Sequence, residues 1–311
     1  MRTEQLLSSS SAAAAAASSA ITVTQILQRV TVGAVRGMAL LGNHLYVLHI
    51  RSCDQLDELD AHNLQLHRRL SVPEDDSPRH FADMASCQRR RRLYISHSTS
   101  DCVHVLLLAS GEVWSKWTTD GSPWGLSVTP DTGNLLVTIR YDGRVDEYSP
   151  GGQRLRRVDL LRGGVFCPWH VIQRSSLPSE PEMLLVGHGD HADDAVRVGF
   201  VRVLDDGSTV GQRWYGGRPG DSAHSLSRPQ HLAIGRNGTI AVADARCGVV
   251  LLDDELHHVG VVEAAAADRR AGWRKSRVCW IGRGLCVAES QLIGGKGKFA
   301  DAAKLTLYEL H

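Results

Sequence analysis

Histidine is the residue through which this sequence could do most chemistry, because several of the 15 histidines in the 311-residue chain stand at matching places in a repeated pattern. His80, His170 and His231 each occupy the third place of a short frame, PRHF, PWHV or PQHL. Neutral imidazoles from distant segments can bind a zinc ion, and imidazoles can also bind an anionic ligand. One interpretation is a zinc site made of these three residues. The alternative is that each ring caps a turn or bonds to the backbone of a neighbouring segment.

A second group of polar residues ends the apolar runs that follow these frames. If the runs are strands, the group lies around one opening of the fold, together with Arg277 from the third place of another frame. Its members are His49, His97, His188, Asp244 and Glu289. We expect them either to bind a ligand or partner or to hold their own loops, as an aspartate does by accepting backbone N–H groups.

Two further segments could bind ions, and catalytic signatures are missing. HGDHADD at 188–194 offers ligands to a divalent cation such as calcium, although a solvated loop has the same composition. The run Arg89–Arg92 either contacts RNA phosphates or is a solvated turn. The sequence contains no GxSxG, no Walker loop, no HExxH and no GxGxxG after a strand. We therefore assign no catalytic residue.

The elements that must position these residues repeat along the chain. Asn237-Gly238 stands between the apolar runs 232–234 and 240–243, which indicates a β-hairpin with a type I′ turn. Each frame is followed by a second apolar run, such as LYISH at 93–97, and usually by a third and a fourth. The frames start at residues 35, 78, 123, 168, 229 and 275, which are 43, 45, 45, 61 and 46 residues apart.

Four short strands in about 45 residues are typical of a β-propeller blade. One four-stranded sheet cannot bury both of its faces, whereas blades stacked in a ring bury each other's faces. The sequence therefore predicts an all-β, six-bladed propeller as a single domain over 21–311, after a disordered Ser/Ala-rich tail at 1–20. We expect ITVTQILQRVTV at 21–32 to form the outer strand of blade six and to close the ring.

Composition excludes several classes of protein. A formal net charge of +1 gives no global attraction to nucleic acid or membrane, and no apolar run approaches the ~20 residues of a membrane span. The seven cysteines include no CxxC pair, which excludes a zinc ribbon or RING module. Scattered thiols suit a reduced protein of the cytoplasm, and we expect a monomer.

Two of the repeats resemble a known family. The segment PQHLAIGRNGTIAVADARCGVVLLD at 229–253 resembles an NHL repeat, and the segment from Pro123 to Tyr148 resembles one next best. The first copy departs from the repeat at His231, where the family has glycine. The resemblance implies a six-bladed propeller with Asp244 holding its loop. NHL proteins often carry RING, B-box and coiled-coil parts, which this chain lacks, so no ubiquitin-ligase activity is implied.

Three functions are compatible with the sequence. The preferred one is a binding or scaffold propeller, without catalysis, that recognises a protein or peptide through Trp124, Trp169 and Trp214. The second is a metal-dependent enzyme that resembles peptidyl-hydroxyglycine lyases, which use three histidines on a zinc, or lactonases. The third is an RNA-binding propeller that uses Arg89–Arg92.

Overall fold

Six four-stranded antiparallel sheets, arranged in a ring as the blades of a β-propeller, make up the protein. The computed structural model describes residues 21–50, 55–73, 80–108, 112–175, 179–189, 196–217, 226–262, 273–293 and 298–311. The tail predicted at 1–20 lies outside them. Helical structure in the described residues consists of two 3-10 turns, Arg140–Asp142 and Leu161–Gly163, and nothing there has the length and apolar character of a membrane-spanning helix.

Strand β1 (Val23–Val32) precedes the first blade, and blades one to three then follow in chain order from the inner strand to the outer one. Blade one consists of β2 (Ala34–Leu41), β3 (His44–Ile50), β4 (Gln55–Asp60) and β5 (Leu66–Ser71). Blade two consists of β6 (Phe81–Cys87), β7 (Arg92–His97), β8 (Cys102–Leu107) and β9 (Val113–Thr118). Blade three consists of β10 (Pro123–Val128), β11 (Leu135–Ile139), β12 (Arg144–Tyr148) and β13 (Arg154–Asp159).

Blades four and five repeat this order, and blade six combines the two ends of the chain. Blade four consists of β14 (Pro168–Gln173), β15 (Met183–His188), β16 (Val196–Val203) and β17 (Thr209–Gly217). Blade five consists of β18 (Pro229–Ile234), β19 (Ile240–Asp244), β20 (Gly248–Leu252) and β21 (His258–Val262). Blade six consists of β22 (Trp273–Ile281), β23 (Gly284–Ile293), β24 (Lys298–Leu310) and β1.

The ring closes as the sequence predicts. Strand β1 pairs antiparallel with β24, from Val23 opposite Leu310 to Val32 opposite Ala302. Backbone hydrogen bonds in both directions between Thr22 and His311, of 3.1 and 2.9 Å, extend the pairing to the end of the chain. The outer strand of blade six therefore comes from the N-terminal side, and closure leaves the ring without a gap between its first and last blades.

The alternation of apolar residues places the hydrophobic core between the blades. Between blades two and three, for example, the fully buried Tyr94 and Val103 form one cluster with Leu126 and Val137. Burial of apolar area at about 25 cal/mol per Å² is the main force that holds neighbouring blades together. The inner strands line the channel along the ring axis, and their polar residues are not part of these hydrophobic clusters.

Every inner strand is bulged close to its start. The pairing register between the first and second strand of each blade shifts within the first few residues. A bulge re-aims the side chains beside it. We name the two residues that follow the last residue paired before this shift the mouth position and the channel position. The mouth positions are Arg36, Ala82, Trp124, Trp169, Gln230 and Ser276, and the channel positions are Gly37, Asp83, Gly125, His170, His231 and Arg277.

The register of blade two corrects the sequence prediction. Phe81 pairs with His97 and Asp83 with Ser96, so the inner strand begins three residues later than the frame start predicted at residue 78. The channel position of this blade is therefore Asp83, whereas His80 precedes the strand and is exposed. Burial of the Phe81 ring, which is 2% exposed, decides where the pairing begins, and a proline at that place is not required.

The hairpin at 237–238 is confirmed, but its turn type is not. Ile234 pairs with Ile240 across a five-residue connection. A type I′ turn needs positive φ at both central residues; Gly238 has a φ of 84°, whereas Asn237 does not adopt positive φ. Asn237 instead accepts a hydrogen bond from the backbone N–H of Thr239 through its side-chain Oδ1, at 3.2 Å.

Candidate functional site

Four channel positions and a backbone segment form a polar network across the axis of the ring, which we call the channel network. Its centre is the Asp83 carboxylate, which is 2% exposed. Asp83 Oδ1 accepts from Arg277 Nε at 3.1 Å, and Oδ2 accepts from the backbone N–H of Leu126 at 3.0 Å. Nε2 of His170 and of His231 lie 3.5 and 3.7 Å from the same carboxylate. Side chains or backbone from five of the six blades therefore meet at one carboxylate.

Both histidines of the channel network are kept neutral by their surroundings. Burial lowers the pKa of His170, and the opposing effect of Asp83 is smaller. Burial, with the positive Arg277 and the neighbouring His170, also lowers the pKa of His231. The two rings lie with centroids 4.3 Å apart and their planes tilted by 35°. His170 Nε2 donates to the carbonyl oxygen of Leu126 at 2.9 Å, so in the neutral ring Nε2 carries the proton.

Two glycines at channel positions allow the inner strands to approach one another. A Cβ on Gly125 would lie 2.5 Å from the carbonyl oxygen of Trp169 and 2.9 Å from His170 Cα. A Cβ on Gly37 would lie 2.5 Å from the Cβ of Met84. Since real Cβ atoms do not come so close to other atoms, only glycine fits at either place.

Asp83, His170 and His231 offer one ligand-type atom each. These atoms lie within 4.8 Å of one another, which is a spacing at which three ligands could hold a metal ion. The donor set does not fit a zinc ion. Both oxygens of Asp83 already accept hydrogen bonds, from Arg277 and from Leu126. His170 directs a protonated nitrogen towards the group, and the Arg277 guanidinium would stand beside any cation bound there. The cation that this carboxylate holds is Arg277.

At the opening above the channel network, aromatic and arginine side chains form what we call the mouth cluster. It consists of Trp124, Trp169, Arg140, Tyr141 and Arg228. The two indole rings meet edge to face at 5.6 Å, and Tyr141 meets Trp124 at 6.0 Å. The guanidinium carbon of Arg140 lies 3.5 Å from the ring centre of Trp169 and 4.9 Å from that of Trp124. Cation–π attraction of this kind, about 0.5–2 kcal/mol per contact, holds the rings in place.

The outer part of the mouth cluster faces solvent. Tyr141 is 68% exposed, Arg228 is exposed, and both tryptophans are partly exposed. Trp169 is held in its orientation because its indole N–H donates to the carbonyl oxygen of Gly189 at 3.0 Å. Phe166, which is 55% exposed, lies on the same face in the connection before β14. The mouth therefore presents ordered aromatic rings to an incoming molecule.

Of the residues predicted at the ends of the second strands, His97, His188 and Asp244 end theirs, whereas His49 lies one residue and Glu289 four residues before the end. All five lie beneath the surface. His49, His97, His188, Asp244 and Glu289 are each at most 3% exposed. His49 lies 3.4 Å from the Asp57 carboxylate, and Glu289 contacts the ammonium of Lys275. His97 accepts from the backbone N–H of Ser100, and His188 packs edge to face against Trp214. The contacts that these side chains make lie within the propeller.

Asp244 has the structural role that the NHL resemblance implies. Its carboxylate accepts four backbone hydrogen bonds of 2.6–2.9 Å, from Ser227, Arg228, Arg246 and Cys247. Two of these residues belong to the connection before β18 and two to the turn after β19. The side chain thus joins the two loops that surround the start of the inner strand of blade five.

Other predicted residues are placed apart from both sites. His80 does not join His170 and His231; its ring lies 6.5 Å from that of His97. Trp214 packs on its own blade, where a Cβ on Gly199 would come within 2.2 Å of its ring. Arg89–Arg92 lie at the opposite face, and Arg92 donates to the carbonyl oxygen of Pro150. Residues 190–194 of HGDHADD lie outside the described chain.

Sequence reasoning missed Asp83, Arg140, Tyr141 and Phe166. The proline-based frame does not include Asp83. The strand LYISH, paired backwards through a hairpin of ordinary length, places Asp83 opposite Ser96 and Phe81 opposite His97. Arg140 and Tyr141 follow the second strand of blade three, which ends at the apolar Ile139 and therefore does not indicate a polar site. Nothing in the sequence marks Phe166.

Comparison with known proteins supports the fold. No family model and no curated protein matches the chain. A virginiamycin B lyase from Staphylococcus aureus superposes with a TM-score of 0.56 over 94% of this chain and 100% of its own, at 11% identity. A streptogramin B lyase gives 0.59 over 94% and 98%, at 11% identity. Hydrazine synthase from Kuenenia stuttgartiensis gives 0.52 over 83% and 76%, at 13% identity. At such low identities, the likeness shows that the propeller fold is shared and carries no information about activity.

Proposed function

We propose that the protein is a binding propeller that recognises a peptide segment of a protein partner at the mouth cluster. The observation that carries this proposal is the distribution of exposed large hydrophobic residues. Those on strands are aliphatic and lie on the outer strands of the blades, at Ile26, Val30, Val113, Leu155 and Val210. Among the described residues, the two that are aromatic, Tyr141 and Phe166, both lie on the mouth face, and Tyr141 contacts Trp124 there.

Interfaces are enriched in tyrosine, tryptophan, phenylalanine and arginine, which bury large areas at low cost in side-chain entropy. The mouth cluster, with Phe166 on the same face, brings these residue types together on a rigid ring. We infer that the bound segment places an apolar side chain against Tyr141 and Phe166 and an acidic side chain near Arg228. The guanidinium of Arg228 lies 5.7 Å from the centre of the Trp169 ring, which places this positive charge at the same aromatic surface.

We also propose that the blades are NHL-like repeats and that the protein acts as a monomer in the cytoplasm. Support for the first comes from Asp244, whose carboxylate joins two loops through backbone hydrogen bonds. Support for the second comes from the six described cysteines, which are free of disulfides. Two of the structural neighbours are lyases by name, but their activity is not carried to this chain, because the identity of 11% shows only the fold.

Selection from a library of random linear peptides tests the proposal. The full chain serves as bait, and the double variant Tyr141→Ala/Phe166→Ala serves as the counter-selecting bait. A second double variant, Val113→Ala/Leu155→Ala, removes exposed hydrophobic side chains from outer strands and serves as the control. We expect peptides with apolar and acidic residues that bind the wild type and the control at least tenfold more tightly than the mouth variant. Peptides that bind all three proteins equally, or no enrichment at all, would refute the proposal.

A further inference from the structure

A separate cleft of about 380 Å³ opens between blades one and two, on the face opposite the mouth. The turns that join first and second strands form its rim, with Gly42 and Asn43 on one side and Gln88 and Arg91 on the other. Leu41 and Leu108 supply apolar wall. The volume is within the range of small-molecule sites, roughly 300–1,000 Å³.

The side of the cleft that belongs to blade one is organised by Glu58, which is 3% exposed. Its carboxylate contacts His44 Nδ1 and accepts from Arg68 Nε at 2.6 Å. Burial and the adjacent Glu58 raise the pKa of Tyr46, so this phenol stays protonated. Because Nδ1 of His44 is directed to Glu58, Nε2 is the ring nitrogen left for a ligand. The half-exposed His44 ring is thus oriented by a buried carboxylate at the wall of the cleft.

The side that belongs to blade two supplies a positive charge. Arg91 has a backbone φ of 49°, and its turn is secured by hydrogen bonds from its own N–H to Gln88 and from Leu108 to its carbonyl oxygen. Within the described residues the Arg91 guanidinium has neither an ion pair nor a hydrogen bond. The Gln88 side chain bonds to Gly42 N–H and to the carbonyl oxygen of Leu40, which ties the two blades together at the rim.

The four consecutive arginines divide between two sides of the hairpin. Arg91 lines the cleft. Arg90 extends towards blade three, where its Nε lies 3.9 Å from the place of a Cβ on Gly133, and Arg92 donates to Pro150 in the same blade. The run therefore does not form one continuous phosphate-binding face. It delivers to a concave site, which already holds an oriented histidine, one guanidinium that has no partner among the described residues.

We propose that this cleft binds a small ligand that carries a phosphate or carboxylate group. The anionic group pairs with Arg91, and His44 Nε2 hydrogen-bonds to the ligand beside it. Arginine recognises both anions because its planar guanidinium forms paired hydrogen bonds to two oxygens. The site is independent of the mouth cluster, since it lies on the opposite face and shares no residue with it.

Titration calorimetry on the full chain tests the proposal in two arms, one with pyrophosphate and one with citrate. Arg91→Gln removes the proposed counter-charge, and Arg90→Gln is the matched control in the same hairpin. We expect millimolar or tighter binding of at least one probe, weakened at least tenfold by Arg91→Gln and unchanged by Arg90→Gln. The arm that binds identifies the anion as phosphate or carboxylate. Binding of neither probe, or equal weakening by both variants, overturns the proposal.

A second measurement keeps the test valid if Arg91→Gln disturbs the hairpin. In the wild-type protein, the imidazole NMR signals of His44 should shift on addition of the binding probe. Those of His257, which is exposed in a different blade, should stay in place. Equal shifts at both histidines would mean a general ionic effect and would contradict the site.

Discussion

The channel network and the mouth cluster are built from neighbouring residues in the sequence, yet they have opposite properties. Trp169 and His170 are adjacent, as are Ala82 and Asp83, and Ser276 and Arg277. The channel residue of each pair is directed to the ring axis and joins a buried polar network. The mouth residue stands above it, and Trp169 there becomes part of a partly exposed aromatic surface. The bulge at the start of each inner strand therefore separates a buried polar site from a partly exposed aromatic surface.

The channel network contributes mainly to the free energy of folding, whereas the mouth cluster retains surface area that a bound partner would bury. A buried carboxylate with one guanidinium partner is a stability element, because loss of either partner leaves an uncompensated charge in a low-dielectric interior. A partly exposed ring contributes less to folding and retains area to bury against a partner.

Removal of the central carboxylate should have the largest effect. Asp83→Ala leaves Arg277 buried without its anion, and we expect the free energy of unfolding to fall by about 3–5 kcal/mol. Urea denaturation measures this change. The control Asp254→Ala breaks the surface pair with Arg174, in which the aspartate side chain is 60% exposed, and should cost about 0–1 kcal/mol. Equal effects of the two variants would show that the channel network does not stabilise the ring.

The variant Gly125→Ala, which adds a methyl group between the channel network and the mouth cluster, should have the next largest effect on stability. Gly125→Ala places a Cβ 2.5 Å from the Trp169 carbonyl oxygen, so the inner strands of blades three and four must move apart. We expect a loss of about 1–3 kcal/mol in unfolding free energy. Gly151→Ala is the matched control, because the nearest atom to its Cβ would be Ser149 Oγ at 3.8 Å. A wild-type melting temperature for Gly125→Ala would contradict the close approach of these strands.

Acidification should weaken the interior through its histidines. Burial, together with Arg197, lowers the pKa of His188 to about 4, and burial also lowers those of His170 and His231. The unfolded chain then binds more protons below its ordinary histidine pKa of about 6.5. The stability these neutral rings provide is therefore present above that pH and lost as pH falls, by about 1.4 kcal/mol per unit for each titrating ring.

Urea denaturation at about pH 7 and about pH 5, the range in which free histidine gains its proton, measures this loss. In His188→Gln one of the titrating rings is absent, so the drop between the two pH values should be smaller than in the wild type. A drop that is unchanged in this variant would mean that His188 is not held neutral by burial.

Variants of the exposed rings should have the smallest effect on folding. Tyr141→Ala and Phe166→Ala truncate side chains that are 68% and 55% exposed, and we expect each to change the unfolding free energy by no more than about 0.5 kcal/mol. Their effect should instead appear in the affinity for selected peptides. A large loss of stability would show that these rings support the fold, which would remove the distinction between mouth and channel.

Much of the fold could be predicted from particular segments of the sequence. The run at 21–32 was correctly predicted as the outer strand of blade six, because its apolar residues require a neighbouring sheet and the last repeat lacks a strand. The prediction of the candidate site was poorer. His80 was expected beside His170 and His231, but the inner strand of blade two starts at Phe81, so Asp83 occupies the place. A proline-based frame cannot detect a register that is set by burial of an aromatic ring.

The number of blades, the strand order and the closure of the ring can be read from the sequence alone. These properties follow from the local alternation of apolar and polar residues, which repeats every 43 to 61 residues, and from the need of each sheet to bury both faces. Which polar residues are buried and which face solvent depends on the three-dimensional arrangement of the blades. That choice depends on the bulges and on distances across the channel, which six separate blades set together. No single repeat contains them.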